Sequence, residues 1–261
     1  MSKEFTKDDV IQNKKEAIKA LNRMLEHFIN DSSEEHLKKA HLISSWIRTY
    51  TNMINFEENF NPTRNISYKR GDILFVDFGF GVGSEFGGKH YAVVLDKHNY
   101  HNAASITVIP LSSLKTGKAI YKRDIFLGNE LYEKLALKLR SNLQESRRQL
   151  EENQRLLGTL EKILHLSDAD LSGSGISELE DKISQNSADM DKYVTALEQL
   201  RDEIVLLKTG SIAKIEQIRT ISKIRICNPK NKWQPLYGIK FSKETMKKIN
   251  EKIKELYIFD E

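Results

Sequence analysis

Apolar residues recur at helical spacing over residues 7–29, where Val10, Ile11, Ala17, Ile18, Leu21, Met24, Leu25 and Phe28 share one side. Ser32 followed by Glu35 predicts a capping box for a second helix running to about Met53, with Leu37, Ala40, Leu42, Ile43, Trp46 and Ile47 turned inward. Residues 1–60 therefore read as an N-terminal helical hairpin, and residues 55–67, rich in Asn, Pro, Thr and Ser, as a linker. From Arg70 the pattern changes. Gly71–Phe78, Tyr91–Leu95 and Ser105–Leu111 are short runs of Val, Ile and Phe bounded by Gly, Asn and Ser, which predicts strands. The glycine-rich loop 79–88 joins the first two. Asp124–Leu127 is a shorter candidate, and Ser211–Ile218, Thr220–Ile226 and Leu236–Phe241 follow much later. Ser242 then caps a final helix to about Tyr257, with Met246, Ile249, Ile253 and Leu256 on one face.

Between the strand groups, residues 129–208 have a different rhythm. Leu143, Leu150, Leu157 and Leu164 recur every seven residues. After Ser172-Gly173-Ser174-Gly175 come Ile176, Leu179, Ile183, Met190, Val194, Leu197, Leu200, Ile204 and Leu207. The pattern predicts two helices of roughly 35 residues, about 50 Å long, paired antiparallel across the Ser-Gly turn. Asn153, Gln154 and Asn186 are candidate register-setting positions in that pair.

Composition adds a charge asymmetry. The net charge is +4, yet residues 1–67 are neutral, 68–128 carry +3, 129–208 carry −5 and 209–261 carry +6. If the two basic segments fold together they form a cationic unit suited to an anionic polymer, although a solvated lysine face on the last helix accounts for part of the excess. Cys227 is the single cysteine, which excludes an internal disulfide framework and a cysteine-rich zinc site. A small buried residue near a strand end is its simplest role. No apolar run reaches membrane-spanning length, and the charged start (Lys3, Glu4, Lys7, Asp8, Asp9) argues against a secretory leader. A cytoplasmic protein with no membrane contact is expected.

Metal and nucleotide motifs are missing. There is no P-loop, dinucleotide fingerprint or helical His-Glu-x-x-His, and the seven histidines do not fall into ligand pairs. Gly79-Phe80-Gly81-Val82-Gly83 precedes a predicted strand rather than a helix, so the helix N-terminus that holds phosphate is absent. No metal and no cofactor are expected.

The loop is nevertheless informative. Lys69-Arg70-Gly71-Asp72-Ile73, then Val76-Asp77-Phe78, then Gly83-Ser84-Glu85-Phe86-Gly87-Gly88-Lys89-His90-Tyr91-Ala92-Val93-Val94-Leu95 resembles the opening of the MazF/PemK endoribonuclease family. Ser105-Ile106-Thr107-Val108-Ile109-Pro110-Leu111-Ser112-Ser113 is similar to that family's third strand, and Glu216-Gln217-Ile218-Arg219-Thr220-Ile221 to its Glu-Gln-Ile-Arg-Thr-Ile strand pair. The resemblance spans residues 68–128 and 209–257, leaving the N-terminal hairpin and the insert outside it. It implies a small SH3-like β-barrel; together with the helices read from periodicity, the expectation is an α+β protein in which that barrel is interrupted by a long antiparallel coiled-coil hairpin and preceded by the N-terminal helical hairpin. The expected domains are thus 1–60, 68–128 with 209–261, and the inserted 129–208. It also implies metal-independent cleavage of single-stranded RNA by a growth-arrest toxin, a protein or RNA antitoxin as partner, and a homodimer.

Carried over residue by residue, the family's loop glutamate falls on Glu85 and its catalytic hydroxyl on Ser112, while its catalytic arginine falls on His90 and the following proline on Tyr91. Arginine stabilises charge on phosphorus but is a poor proton shuttle; histidine titrates near neutrality and can do either job. RNA cleavage without metal needs a base for the 2′-OH, an acid for the leaving 5′-oxygen and donors to the phosphorane. His90 suits base or acid, Glu85 can orient it, Ser112 or Ser113 can donate to a non-bridging oxygen, and Lys89, Gln217 and Arg219 are candidate RNA-binding groups. Phe86 and Tyr91 suit either base stacking or core packing. Two other classes remain: a catalytically inactive RNA- or protein-binding module with the coiled coil as scaffold, and a gyrase-poisoning relative on the same fold.

Overall fold

The computed structural model describes residues 4–31, 33–114, 117, 119–166, 174–206 and 210–258. The chain divides into two compact units, one made of residues 1–59 with 79–83 and the other of residues 60–78 with 84–261.

In the first unit, α1 (Lys7–Ile29) and α2 (Glu34–Glu57) are consecutive helices. Thr6 and Asp9 form a reciprocal capping box at the start of α1. Ser33, rather than Ser32, caps α2 by accepting from the His36 N–H, and Ser32 itself lies outside the described residues. The helix also runs four residues past Met53, into the expected linker. Ala40 and Ile43 are buried, whereas Leu37 and Leu42 are exposed.

The second unit is α+β. Its strands are β1 (Ile73–Asp77), β2 (Lys89–Val94), β3 (Ser105–Ser113), β4 (Ile125–Phe126), β5 (Ser211–Ala213), β6 (Arg219–Ser222) and β7 (Ile226–Asn228). All pairings are antiparallel, in the order β4-β5-β3-β2-β1-β7, with β6 also on β3. Among the described residues the path is open between β4 and β7, so the closed barrel expected from the resemblance is not formed by these ladders. Both sides of the sheet are apolar, which is why β1 reads as a continuous hydrophobic run rather than an alternation. One face carries Ile73, Val93, Ile109 and Leu111. The other carries Leu74, Val76, Phe78, Ala92, Val94, Ile106, Val108, Ile221 and Ile226.

Two expected strands differ. Ser211–Ile218 breaks after Ala213 into a 3-10 turn over Ile215–Gln217. The Pro110 carbonyl accepts from the Lys214 N–H, so the edge of Pro110 that faces the β5–β6 segment lacks the N–H needed to continue a regular ladder. Leu236–Phe241 contributes only an isolated bridge, Asp72 to Lys240, because Pro235 and the positive φ of Gly238 (75°) interrupt extended backbone.

Between β4 and β5 the chain forms α3 (Glu130–Leu166) and α4 (Ser174–Leu206). Asn153 of α3 meets Met190 of α4, while Leu135 and Leu200 both enter the sheet's first core, so the helices run antiparallel and their base is part of the sheet's packing. Lys138 fastens the base further, its ammonium donating to the carbonyls of Pro235 at 2.9 Å and Tyr237 at 2.7 Å. The Ser172–Gly173 part of the expected turn lies outside the described residues. The heptad leucines do not form the seam: Leu143, Leu150 and Leu157 are 43, 45 and 48% exposed, whereas Asn153 is 8% exposed. The inward column is instead Leu135, Leu139, Asn142, Ser146, Gln149, Asn153 and Leu156, at alternating steps of four and three. Ser146 Oγ, Gln149 Oε1 and Asn153 Oδ1 are buried there without a hydrogen-bond partner, each at a cost of about 1–3 kcal/mol.

The last helix, α5 (Lys243–Tyr257), begins where expected, with Ser242 as its cap. Glu130, at the first turn of α3, accepts from the Ser242 N–H at 2.6 Å and from the hydroxyls of Ser242 and Thr245.

Candidate active site

The sheet register decides which of the candidate residues share a face. Residues directly opposite one another across a ladder point the same way, and the direction alternates along each strand. His90 pairs with Val76, Ala92 with Leu74 and Pro110, and Arg219 with Val108. His90 and Arg219 therefore lie on the face of Val76 and Val108, the second core. Ser112 follows Val108 and Pro110 in the same phase. β2 and β3 pair only over Ala92–Val94 and Val108–Pro110. Extending that register by two steps would set His90 opposite Ser112, just beyond the paired stretch, while Ser112 is held on its other side by Ile212 of β5.

His90, Phe86, Gln217 and Arg219 form a connected group. The Phe86 ring lies 4.5 Å from the His90 ring, centroid to centroid. Its backbone N–H donates to Gln217 Oε1 at 3.0 Å, and the same oxygen accepts from Arg219 Nη2 at 3.3 Å. The Arg219 guanidinium sits 5.4 Å from the centroid of the Phe78 ring, within cation–π range. The 3-10 turn that replaces regular strand is what brings Gln217 out to meet the β1–β2 loop. His90, Gln217 and Arg219 are half-buried, and Glu85 is exposed.

Not all candidates converge. Lys89 pairs with Asp77, and Ser113 with Ser211; the alternation turns both toward the opposite face from His90, Ser112 and Arg219. Tyr91 packs against the first core and lies 5.2 Å from Phe75. Phe86 also packs against its core, edge-on to Phe78. Two further groups at the site were not among the candidate residues. Phe78 is the platform under Arg219, and Arg225 donates to the Asp77 carbonyl at 3.2 Å, bringing a second guanidinium to the end of β1. The only advance signal for Arg225 was the basic excess of residues 209–261.

Cys227 is half-buried in β7. Burial raises its thiol above the ordinary range, which keeps it protonated and weakly nucleophilic. Among the described residues no group of three His, Cys, Asp or Glu side chains is placed to hold a metal ion, and no helix is long and apolar enough to cross a membrane. A cavity of about 470 Å³ lies elsewhere, between Asp191, Lys192, Thr195 and Gln199 of α4 and the Asn231–Gln234 loop, and none of the candidate residues lines it.

The second unit is thus an α+β domain in which a histidine, an amide and a guanidinium are grouped beside one face of an antiparallel sheet. Residues 69–172 match the family of PemK-like, MazF-like toxins of type II toxin-antitoxin systems. The match takes in β1 to β4 and reaches through α3; the Glu216–Ile221 motif lies beyond it. No curated protein matches the chain.

Proposed function

We propose that this protein is a toxin and a metal-independent endoribonuclease that cuts single-stranded RNA, messenger RNA being the natural target, by attack of a ribose 2′-OH on the adjoining phosphorus. The observation that carries the reading is the link from His90 through Phe86 and Gln217 to Arg219, inside a chain whose preceding strands match a toxin family. In this scheme His90 moves a proton, as base toward the 2′-OH or as acid toward the departing 5′-oxygen. Ser112 donates to a non-bridging oxygen, and Glu85, exposed in the β1–β2 loop, orients the imidazole. Arg219 offsets the charge that builds on phosphorus. Gln217 has its carbonyl oxygen committed to Phe86 and Arg219, so it acts by positioning them. Lys89 and Ser113 would serve RNA only along its path around the sheet edge.

The products are a 2′,3′-cyclic phosphate and a 5′-hydroxyl, and DNA, lacking the 2′-OH, resists. The SH3-like barrel, a separate role for residues 1–60, an antitoxin partner, a homodimer and a cytoplasmic setting belong to the same proposal. The test is incubation of the purified chain with long single-stranded RNA in EDTA. His90→Ala is expected to lose about 10²–10⁴-fold in rate; equal cutting by both proteins refutes the role of His90. The imidazole at the position of the family's arginine favours one second reading, a catalytically inactive RNA-binding module, and RNA bound but left intact by the wild type would establish it.

A further inference from the structure

We infer that the N-terminal hairpin acts on the candidate site through the β1–β2 loop, with Trp46 of α2 as a positioning residue that clasps the loop at Gly79. Its effect on rate rests on the nuclease reading; its effect on the loop does not. Residues 79–83 pack with residues 1–59 as one unit, although the strands before and after them belong to the sheet. Gly79 shows how close the grip is. A Cβ at that position would lie 2.6, 2.8 and 2.9 Å from three carbons of the Trp46 six-membered ring. The backbone there also stands at a φ of +81°, so glycine is required on both counts. Trp46 is half-buried, and the Tyr50 ring, one turn further along α2, lies 5.6 Å from it, centroid to centroid. Gly79 is buried, whereas Phe80, Val82 and Gly83 are exposed.

The clasped segment joins two side chains of the site. Phe78 precedes it directly, and Phe86 follows it after Ser84 and Glu85. Phe78 lies 5.4 Å from the Arg219 guanidinium. Phe86 lies 4.5 Å from the His90 ring and gives its N–H to Gln217 at 3.0 Å. The two phenylalanine rings meet edge-on, 5.8 Å apart. Gly79, Gly81 and Gly83 give the joining segment little stiffness of its own, so an outside hold is what fixes its path. The Trp46 ring supplies that hold at the first residue after Phe78. It need not touch RNA to matter, because a misplacement of about 1 Å in a catalytic group costs about a hundredfold in rate.

The test compares the full chain with Trp46→Ala, Trp46→Phe, Gly79→Ala and the double variant Trp46→Ala/Gly79→Ala. Hydrogen exchange of the Phe86 amide, followed by NMR, reads the loop without RNA. It is expected to quicken about tenfold in Trp46→Ala and in Gly79→Ala, while the Val94 amide, which donates to Asp72 at 2.9 Å within the sheet unit, stays unchanged. Cleavage of single-stranded RNA in EDTA is expected to fall about a hundredfold in kcat with KM little altered, and Trp46→Phe is expected to restore most of the rate. Both single variants break one contact, so their losses do not multiply in the double variant. Far-UV circular dichroism checks α1 and α2, and Gly79→Ala, outside both helices, decides the matter if Trp46→Ala unfolds them. Unchanged Phe86 exchange, cutting that is unchanged or faster, or losses that multiply overturn the inference. A wild type that binds RNA without cutting it refutes the nuclease reading instead, and Phe86 exchange then decides the clasp by itself.

Discussion

Replacing Glu130 by Gln tests how firmly the helical insert is joined to the sheet. The Glu130 carboxylate lies at the first turn of α3 and receives the Ser242 N–H at 2.6 Å, the Ser242 hydroxyl at 3.2 Å and the Thr245 hydroxyl. Lys134 adds an ion pair at 2.9 Å. One side chain thus satisfies an unpaired donor at the N-terminus of α5 and fixes where α3 begins. Burial alone would raise this carboxyl. The hydrogen bonds from Thr245, Lys134 and the Ser242 N–H outweigh it and hold the group below its ordinary range.

Glutamine keeps the shape but loses the charge, and it turns an NH₂ toward groups that are themselves donors. Three contacts then lose their charge assistance at once, for a loss of about 2–3 kcal/mol. That corresponds to a fall of roughly 5–10 °C in the melting of the sheet unit. Because the folded-state pKa lies below the unfolded one, the stabilisation is complete above the ordinary carboxylate range. It is lost as pH falls through the folded value. The assay is urea unfolding of wild type and Glu130→Gln at neutral pH and again near pH 3, with Thr245→Val as a one-contact control. A difference under about 0.5 kcal/mol at neutral pH, or one that persists undiminished in acid, refutes the reasoning.

Leu135→Ala and Leu200→Ala, both at fully buried positions in the core shared by the insert and the sheet, are each expected to cost about 2–5 kcal/mol; a loss confined to the helical signal, with the sheet unaffected, would contradict that shared core. Asn153→Leu removes the buried, unpartnered Oδ1 and is expected to stabilise the hairpin by about 1 kcal/mol in thermal melts, with a lower melting temperature as the contrary result. Burial pushes the Lys138 ammonium down to about 8 from its ordinary 10.5. Between those values the unfolded chain holds a proton that the folded chain has released, so Lys138 makes stability rise with pH there. Lys138→Met should flatten that rise in unfolding curves, and an identical slope in both proteins would exclude it.

The helices were legible because their periodicity is local. The bounds of α1 and α5 and the Ser242 cap follow from side-chain spacing and short-range hydrogen bonds within the segment itself. The strands of the first group were legible for a similar reason, since β1 to β3 are bounded by Gly, Asn and Ser. The break between β5 and β6 was not. It arises from Pro110, a residue of another strand more than a hundred positions earlier, which withholds an N–H from that edge. The seam of the insert is not legible from its leucines, because a seven-residue repeat of leucine marks a stripe without saying what covers it. Asn142, Ser146, Gln149 and Asn153 occupy the contact with α4 instead.

The candidate site divides in the same way. Motif order along the chain was enough to single out Glu85, His90, Ser112, Gln217 and Arg219. The phase of the pleat decided that His90 and Arg219 share a face, with Ser112 in the same phase, and that Lys89 and Ser113 turn away. The sequence by itself determined the elements and the chemical groups available, because propensity, capping and alternation act over a few residues. Only the tertiary structure decided which of those groups meet. Register between distant strands, and the packing of one helix against another, depend on partners that no local pattern specifies.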